Sequence, residues 1–166
     1  TPLFHIVGIT PEAPNLAAVN GTNLPVTKIT DDNLAALRSD FGAKGERPDV
    51  IVFAAPQLSI IEMGKVSSLV DGQKLKVPMI VCTSPQTYGD ATRMGFVDKI
   101  ENAGGVVLEG TCFYQQGAKE IGEANGWVRL LSNSTKIVNI LGGYGYKPAL
   151  ASMKDCVAAA INGEIV

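Results

Sequence analysis

The chain has 166 residues, of which 46% are apolar and 18% charged, and a formal net charge of −2. That length suits a single domain able to bury its own core, and the apolar share excludes intrinsic disorder. There is no basic block and no interleaving of basic and aromatic residues, which excludes a nucleic-acid partner. There is also no window apolar enough to span a membrane and no signal peptide, while three cysteines without a close pair argue for a reducing, cytoplasmic compartment rather than a disulfide scaffold.

Short apolar runs alternate with helical patterns along the chain. Leu3–Val7 reads as a first strand, entered with no lead-in, and His5 within it reads as a core histidine. Asp31 or Asp32 caps a helix running to about Ser39. DVIVF at 49–53 is a second strand, and Ser59 opens a helix with Glu62 at the capping-box spacing. Val77–Cys82 is a third strand. Thr87–Ala103 follows as one helix, with Met94, Val97 and Ile100 on one face and a stop at Gly104–Gly105. Gly105–Leu108 and Trp127–Leu131 continue the series. Asn133 or Ser134 caps a helix through Leu141, Lys147–Ala151 is a weaker sixth strand, and Ser152 caps a last helix closed by Gly163. The strands are almost continuously apolar, as strands covered on both faces are. With helices between them they predict an open, doubly wound, mostly parallel α/β sheet, in one domain over 1–166.

In such a sheet, ligands bind outside the carboxyl ends of the strands. The residues just past each strand are therefore the site candidates: Thr10, Pro11 and Glu12; Ala55, Pro56 and Gln57; Cys82, Thr83 and Ser84; Thr111 and Cys112; Ser132, Asn133 and Ser134. Taken singly, each serine or threonine reads as a helix cap; the set points to a site. A shared site requires the loops carrying Thr10, Thr83, Cys112 and Ser134 to gather on one rim.

Other motifs are excluded or incomplete. GGYGYK at 142–147 lacks the GxGxxG spacing and reads as a helix–strand loop, and there is no P-loop, no HExxH and no GxSxG. A flavodoxin-like carrier would need a phosphate loop after the first strand. Cys156 reads as a small core residue on the last helix. Cys82 and Cys112 stand at strand mouths. If they converge they offer two soft ligands, fewer than an iron–sulfur cluster takes from protein.

FHIVGITPEAP at 4–14 resembles the HxVGxTPEAP signature of the aconitase X family, in the C-terminal half of its catalytic large-subunit region. Five later segments follow in the same order. DVIVFAAPQLSIIEM resembles a strand followed by glycine, Cys or Ser, then Pro-His and a helix. VPMIVCTSPQTY resembles the family's Thr-Ser strand end, GGVVLEGTCF its Asp-Thr-Cys segment, LLSNSTKIVNIL its TNSxK turn, and ASMKDCVAAAINGEI its C-terminal helix. The resemblance implies an iron- or iron–sulfur-dependent hydro-lyase, with cis-3-hydroxy-L-proline or 5-phosphomevalonate as the substrate class. It implies the rest of the large catalytic portion and a small swivelling domain or subunit as partners. Cys112 is the implied metal ligand. Thr10, Thr83, Ser84, Asn133, Ser134 and Lys136 are the implied contacts of a small anionic substrate. Ala55 and Gln57 depart from the family pattern, since a potential ligand and a histidine are missing, and Gly110 replaces the aspartate. These departures keep a second class open: a non-catalytic module that binds a small anion or a partner subunit.

Overall fold

Along the central strand, alternate side chains enter two different cores, which is the geometry of a sheet covered on both faces. The computed structural model describes residues 4–19, 21 and 23–165. Two compact units are distinguished, Thr1–Leu34 and Ala35–Val166. The second contains a five-stranded sheet.

The strands are β1 (Val50–Leu58), β2 (Met79–Thr83), β3 (Val106–Glu109), β4 (Arg129–Ser132) and β5 (Lys147–Leu150). They lie in the order β3-β2-β1-β4-β5 and every pairing is parallel, with Ile51 opposite both Met79 and Leu131. The helices are α1 (Asp31–Asp40), α2 (Ile60–Val70), α3 (Pro85–Arg93), α4 (Phe96–Ala103), α5 (Ala118–Asn125), α6 (Thr135–Leu141) and α7 (Met153–Asn162). On one face of the sheet, Ile51, Phe53, Met79 and Val81 pack with Met63 and Val66 of α2, Val97 and Ile100 of α4, and Val157 of α7. On the other, Val50, Val52, Ile80, Cys82 and Leu130 pack with Phe113, Ala118 of α5, and Ile137 and Leu141 of α6. The order reverses between β1 and β4: the chain builds outward from β1 to β3, then crosses back to start β4 on the other side. The carboxyl ends of β1 and β4 therefore flank the topological switch point, where a crevice forms.

Local chemistry explains most boundaries. Ser59 and Glu62 form the full capping box of α2. The α4 helix ends on Gly104 at φ 105°, and α7 begins on a Ser152 cap whose oxygen accepts the Asp155 N–H.

Three expectations are corrected. Residues 4–7 are not a strand (Leu3 lies outside the described residues), and the sheet has five strands rather than six. Ile6 O instead accepts the N–H groups of Ile9 and Thr10, Thr10 Oγ1 accepts the Ile6 N–H at 2.9 Å, and Gly8, at φ 77°, donates to Ala13 O. The motif is a double turn that glycine and a threonine hydroxyl close on themselves, and His5 is exposed rather than in a core. The span 87–103 is two helices, broken where Gly95 takes φ 73°. The α5 helix is an element that the sequence patterns left unassigned.

Candidate active-site crevice

The end of β1 is irregular. Phe53 pairs with Val81, but the next paired residue is Leu58, opposite Thr83, so residues 54–57 bulge from the sheet at its carboxyl rim. Within the bulge Ala55 has φ 46°, in the left-handed region that a side chain disfavours, and its bond to Pro56 is cis.

Neighbouring strands hold this bulge by side-chain-to-carbonyl hydrogen bonds. From β4, the Ser132 hydroxyl donates to Val52 O at 2.6 Å. Ser134, just beyond, donates to Ala55 O at 2.6 Å. From β2, Thr83 donates to Leu58 O at 2.7 Å. The bulge reaches out in turn: Gln57 Nε2 donates to Thr111 O at 3.0 Å, tying it to the loop after β3. The Ser132 and Thr83 side chains are fully buried and Ser134 nearly so, and each hydroxyl has its partner, as buried polar groups do.

These bonds place the residues singled out from the sequence. Thr83 ends β2, Cys112 and Ser134 follow the carboxyl ends of β3 and β4, and the three so share one rim of the sheet. Asn133, Ser134 and Lys136, with Ala55, Pro56 and Thr135, line a hollow of about 380 Å³ at the β1/β4 reversal. A larger hollow of about 690 Å³ lies outside the ends of β4 and β5 and shares Asn133 and Thr135 with the first. Thr83 is fully buried, its hydroxyl committed to Leu58. Ser84 is half-buried and caps α3, its oxygen accepting the Thr87 N–H at 3.2 Å. Thr10 belongs to the first unit, where its hydroxyl closes the turn described above.

Lys136 is exposed at the start of α6, with Nζ 5.4 Å from the centroid of the Tyr114 ring, a cation–π distance. Tyr114 lies in the 3-10 turn Phe113–Gln115 that directly follows Cys112. Lys136 and the Cys112 loop are thus neighbours across the rim. Sequence reasoning missed Tyr114. Gln57, named from the sequence as a strand-end candidate and as a departure from the family pattern, serves as a clamp on the facing loop.

The two thiols behave differently. Cys82 is fully buried in the core beneath α5 and α6 rather than open at the mouth. Burial pushes its thiol up to about 11; the backbone amide of Phe113 draws it down and nearby Cys112 adds a smaller upward push. It is a protonated core residue at neutral pH. Cys112 is half-buried at the edge of the same core and is the thiol at the rim. Among the described residues, no three His, Cys, Asp or Glu side chains come together as a metal-binding group. The donors present do not make an iron or iron–sulfur site, and this chain has one rim thiol to contribute to one.

Comparisons with known proteins agree with this architecture. Residues 48–162 match the family described as the aconitase X third domain. The cis-3-hydroxy-L-proline dehydratase of Pseudomonas aeruginosa is 26% identical over 98% of this chain and 29% of its own length. The phosphomevalonate dehydratase large subunit of Methanothermobacter thermautotrophicus is 32% identical over 72% of this chain and 30% of its own. The cis-3-hydroxy-L-proline dehydratase of Hypocrea jecorina is 31% identical over 98% of this chain and 28% of its own. The chain spans less than a third of each of these relatives. The crystal structure of Thermococcus kodakaraensis aconitase X in its holo form superimposes with a TM-score of 0.72 at 20% identity, covering 86% of this chain and 37% of that one, and shares the fold. Because the match to the family covers residues 48–162, well over half of the chain, the chain belongs to the aconitase X family, and these residues correspond to its third domain.

Proposed function

We propose that this chain forms one wall of the active site of a cytoplasmic hydro-lyase that dehydrates a small hydroxy acid, together with further domains or subunits. The observation that carries the proposal is the hollow at the β1/β4 reversal, set in the third domain of a family whose named relatives are dehydratases. Those relatives make cis-3-hydroxy-L-proline and phosphomevalonate the substrates to try first. A β-hydroxy acid loses a proton from the carbon beside its carboxylate and hydroxide from the next carbon. A C=C bond forms, and the proton and hydroxide together make water.

In this reading Lys136 sets its ammonium against an anionic group of the substrate, and Asn133 adds hydrogen bonds from the opposite end of the turn. Ser134 fixes the Ala55 backbone so that Pro56 stands as a rigid wall. Ser84 completes the proposed contacts, while Thr83 acts from inside by holding the end of β1. The hollow has no carboxylate or imidazole in its lining, so the proposal assigns the proton-abstracting base to the remaining domains. Cys112 is this chain's proposed contribution to an iron or iron–sulfur group whose other ligands lie outside it.

The test is to express the chain with the domains its relatives carry and to follow formation of unsaturated acid from each of the two substrates. One of them should turn over, and Lys136→Ala should raise its KM by about tenfold, the loss of one charge-assisted contact. Failure of the assembled protein to dehydrate either acid overturns the proposal in favour of an anion-binding module.

A further inference from the structure

One side of α2 along its length, the first turn of α7 and the start of α4 enclose an apolar groove of about 710 Å³, whose walls are Ile61, Leu69, Phe96 and Met153 and whose charged residues are Lys65 and Lys154. Its shape is specified. A Cβ on Gly64 would crowd the Phe96 ring at 3.2 Å, so glycine lets the ring lie low and keeps the groove open. Ser68 turns its hydroxyl back onto Gly64 O at 2.8 Å and adds no spare donor to the wall. Ile61 is 69% exposed on the outer side of its helix, a costly place for an isoleucine without a partner. The charged residues that line the groove are of one sign: a carboxylate at its edge, Asp155, is held by the Ser152 hydroxyl at 2.6 Å, and among the described residues neither lysine has a carboxylate within salt-bridge distance.

We propose that this groove seats an amphipathic segment of the remaining catalytic polypeptide, one that presents apolar side chains flanked by Asp or Glu. Two observations select that occupant. The lysines on two of the three walls attract carboxylates and repel a basic segment or a second copy of this same lysine-bearing groove. The α7 end of the groove, Ser152 and Met153, lies just past the carboxyl end of β5. The groove shares these two residues with the 690 Å³ hollow at the rim, so a lobe seated in it borders the crevice. The inference rests on the reading that the chain works with further domains, which the length of its relatives supports.

The test uses the protein expressed with those domains, fused or as separate subunits, and carrying a photo-crosslinking benzoylphenylalanine in place of Ile61, or of Val128 as an exposed control beyond the amino end of β4. The position-61 probe should link to a peptide outside this chain in which apolar residues alternate with Asp or Glu, and the position-128 probe should not. Lys65→Glu with Lys154→Glu should cut the yield about fivefold or more. The idea is overturned by a link to a second copy of the chain, by a peptide without carboxylates, by no link, or by a yield indifferent to charge reversal. The readout is a covalent link rather than turnover, so an assembly that links as expected but is inactive counts against the dehydratase reading alone.

Discussion

The hydroxyl of Ser134 donates to the carbonyl of Ala55 at 2.6 Å while its oxygen accepts the N–H of Ile137 at 3.2 Å. One side chain thus caps α6 and pins the left-handed residue of the β1 bulge across the switch point. Ser134→Ala removes both bonds and leaves a buried carbonyl without its partner. The variant should lose about 2–3 kcal/mol of unfolding free energy, read from the midpoint of a urea titration at unchanged slope. Ser134→Thr should recover part of it, since the hydroxyl returns. A loss below about 0.5 kcal/mol would mean that the bulge holds itself without the clamp.

Thr83 permits the cleaner version of the same experiment. Its hydroxyl is fully buried and donates to Leu58 O at 2.7 Å, so Thr83→Val keeps the shape and removes only the hydrogen bond. A loss of about 1–2 kcal/mol is expected in thermal or urea unfolding, with Thr83→Ser closer to the parent. In the assembled protein, the KM effect of Thr83→Val should be smaller than that of Lys136→Ala, because the hydroxyl reaches the crevice only through the β1 backbone.

The contrast between Thr83 and Lys136 marks how far the sequence could be read. Continuous apolar runs, the Ser59–Glu62 spacing and the paired glycines at 104–105 are local signals, and they located four of the five strands closely and most helix ends. The carboxyl ends of those strands could then be named as the rim. Which strand-end hydroxyls face a ligand is not local information. Thr83, Ser132 and Ser134 turn toward the carbonyls of β1 because residues 54–57 bulge, and the bulge exists only once β2 and β4 flank β1. The turn at Ile6–Ala13 mimicked a strand because its apolar residues are contiguous, while the bond that reverses it comes from a threonine four residues on. The α5 helix was hidden because AKEIGEAN offers only Ala118 and Ile121 as a stripe and carries a glycine in its middle.

That glycine has a tertiary reason. A Cβ on Gly122 would sit 2.6 Å from the Tyr146 hydroxyl and 2.8 Å from its Cζ, while the same hydroxyl donates to Ala118 O at 2.7 Å. The tyrosine crosses the helix where only glycine leaves room. Gly122→Ala gains helix propensity but forces the ring away, and a net loss of about 1–3 kcal/mol is expected in urea unfolding. Tyr146→Phe, which removes only the hydroxyl, should lose about 1 kcal/mol. Combined with Gly122→Ala it should fall short of additivity, since both changes act at one contact.

The three thiols separate by burial. Cys112 is half-buried at the rim, whereas Cys82 and Cys156 are fully buried. Near pH 8 an aromatic disulfide reagent should therefore modify one thiol of the native chain quickly and all three after unfolding, and Cys112→Ala should abolish the fast phase. Cys156 also sets an alkaline limit. Burial, then the neighbouring Asp155 carboxylate, push its thiol from the ordinary 9.0 up to about 12, with weaker opposing help from backbone hydrogen bonds. The folded state keeps this proton while the unfolded chain releases it above pH 9, so the protonated thiol's contribution is whole below pH 9 and declines toward pH 12. Unfolding free energy should fall across that window by a few kcal/mol, on the order of 1.4 kcal/mol for each pH unit. Cys156→Ala, measured by urea unfolding at pH 8 and at about pH 10.5, should show a visibly shallower decline than the parent. Equal slopes in the two proteins would place the alkaline loss on other groups.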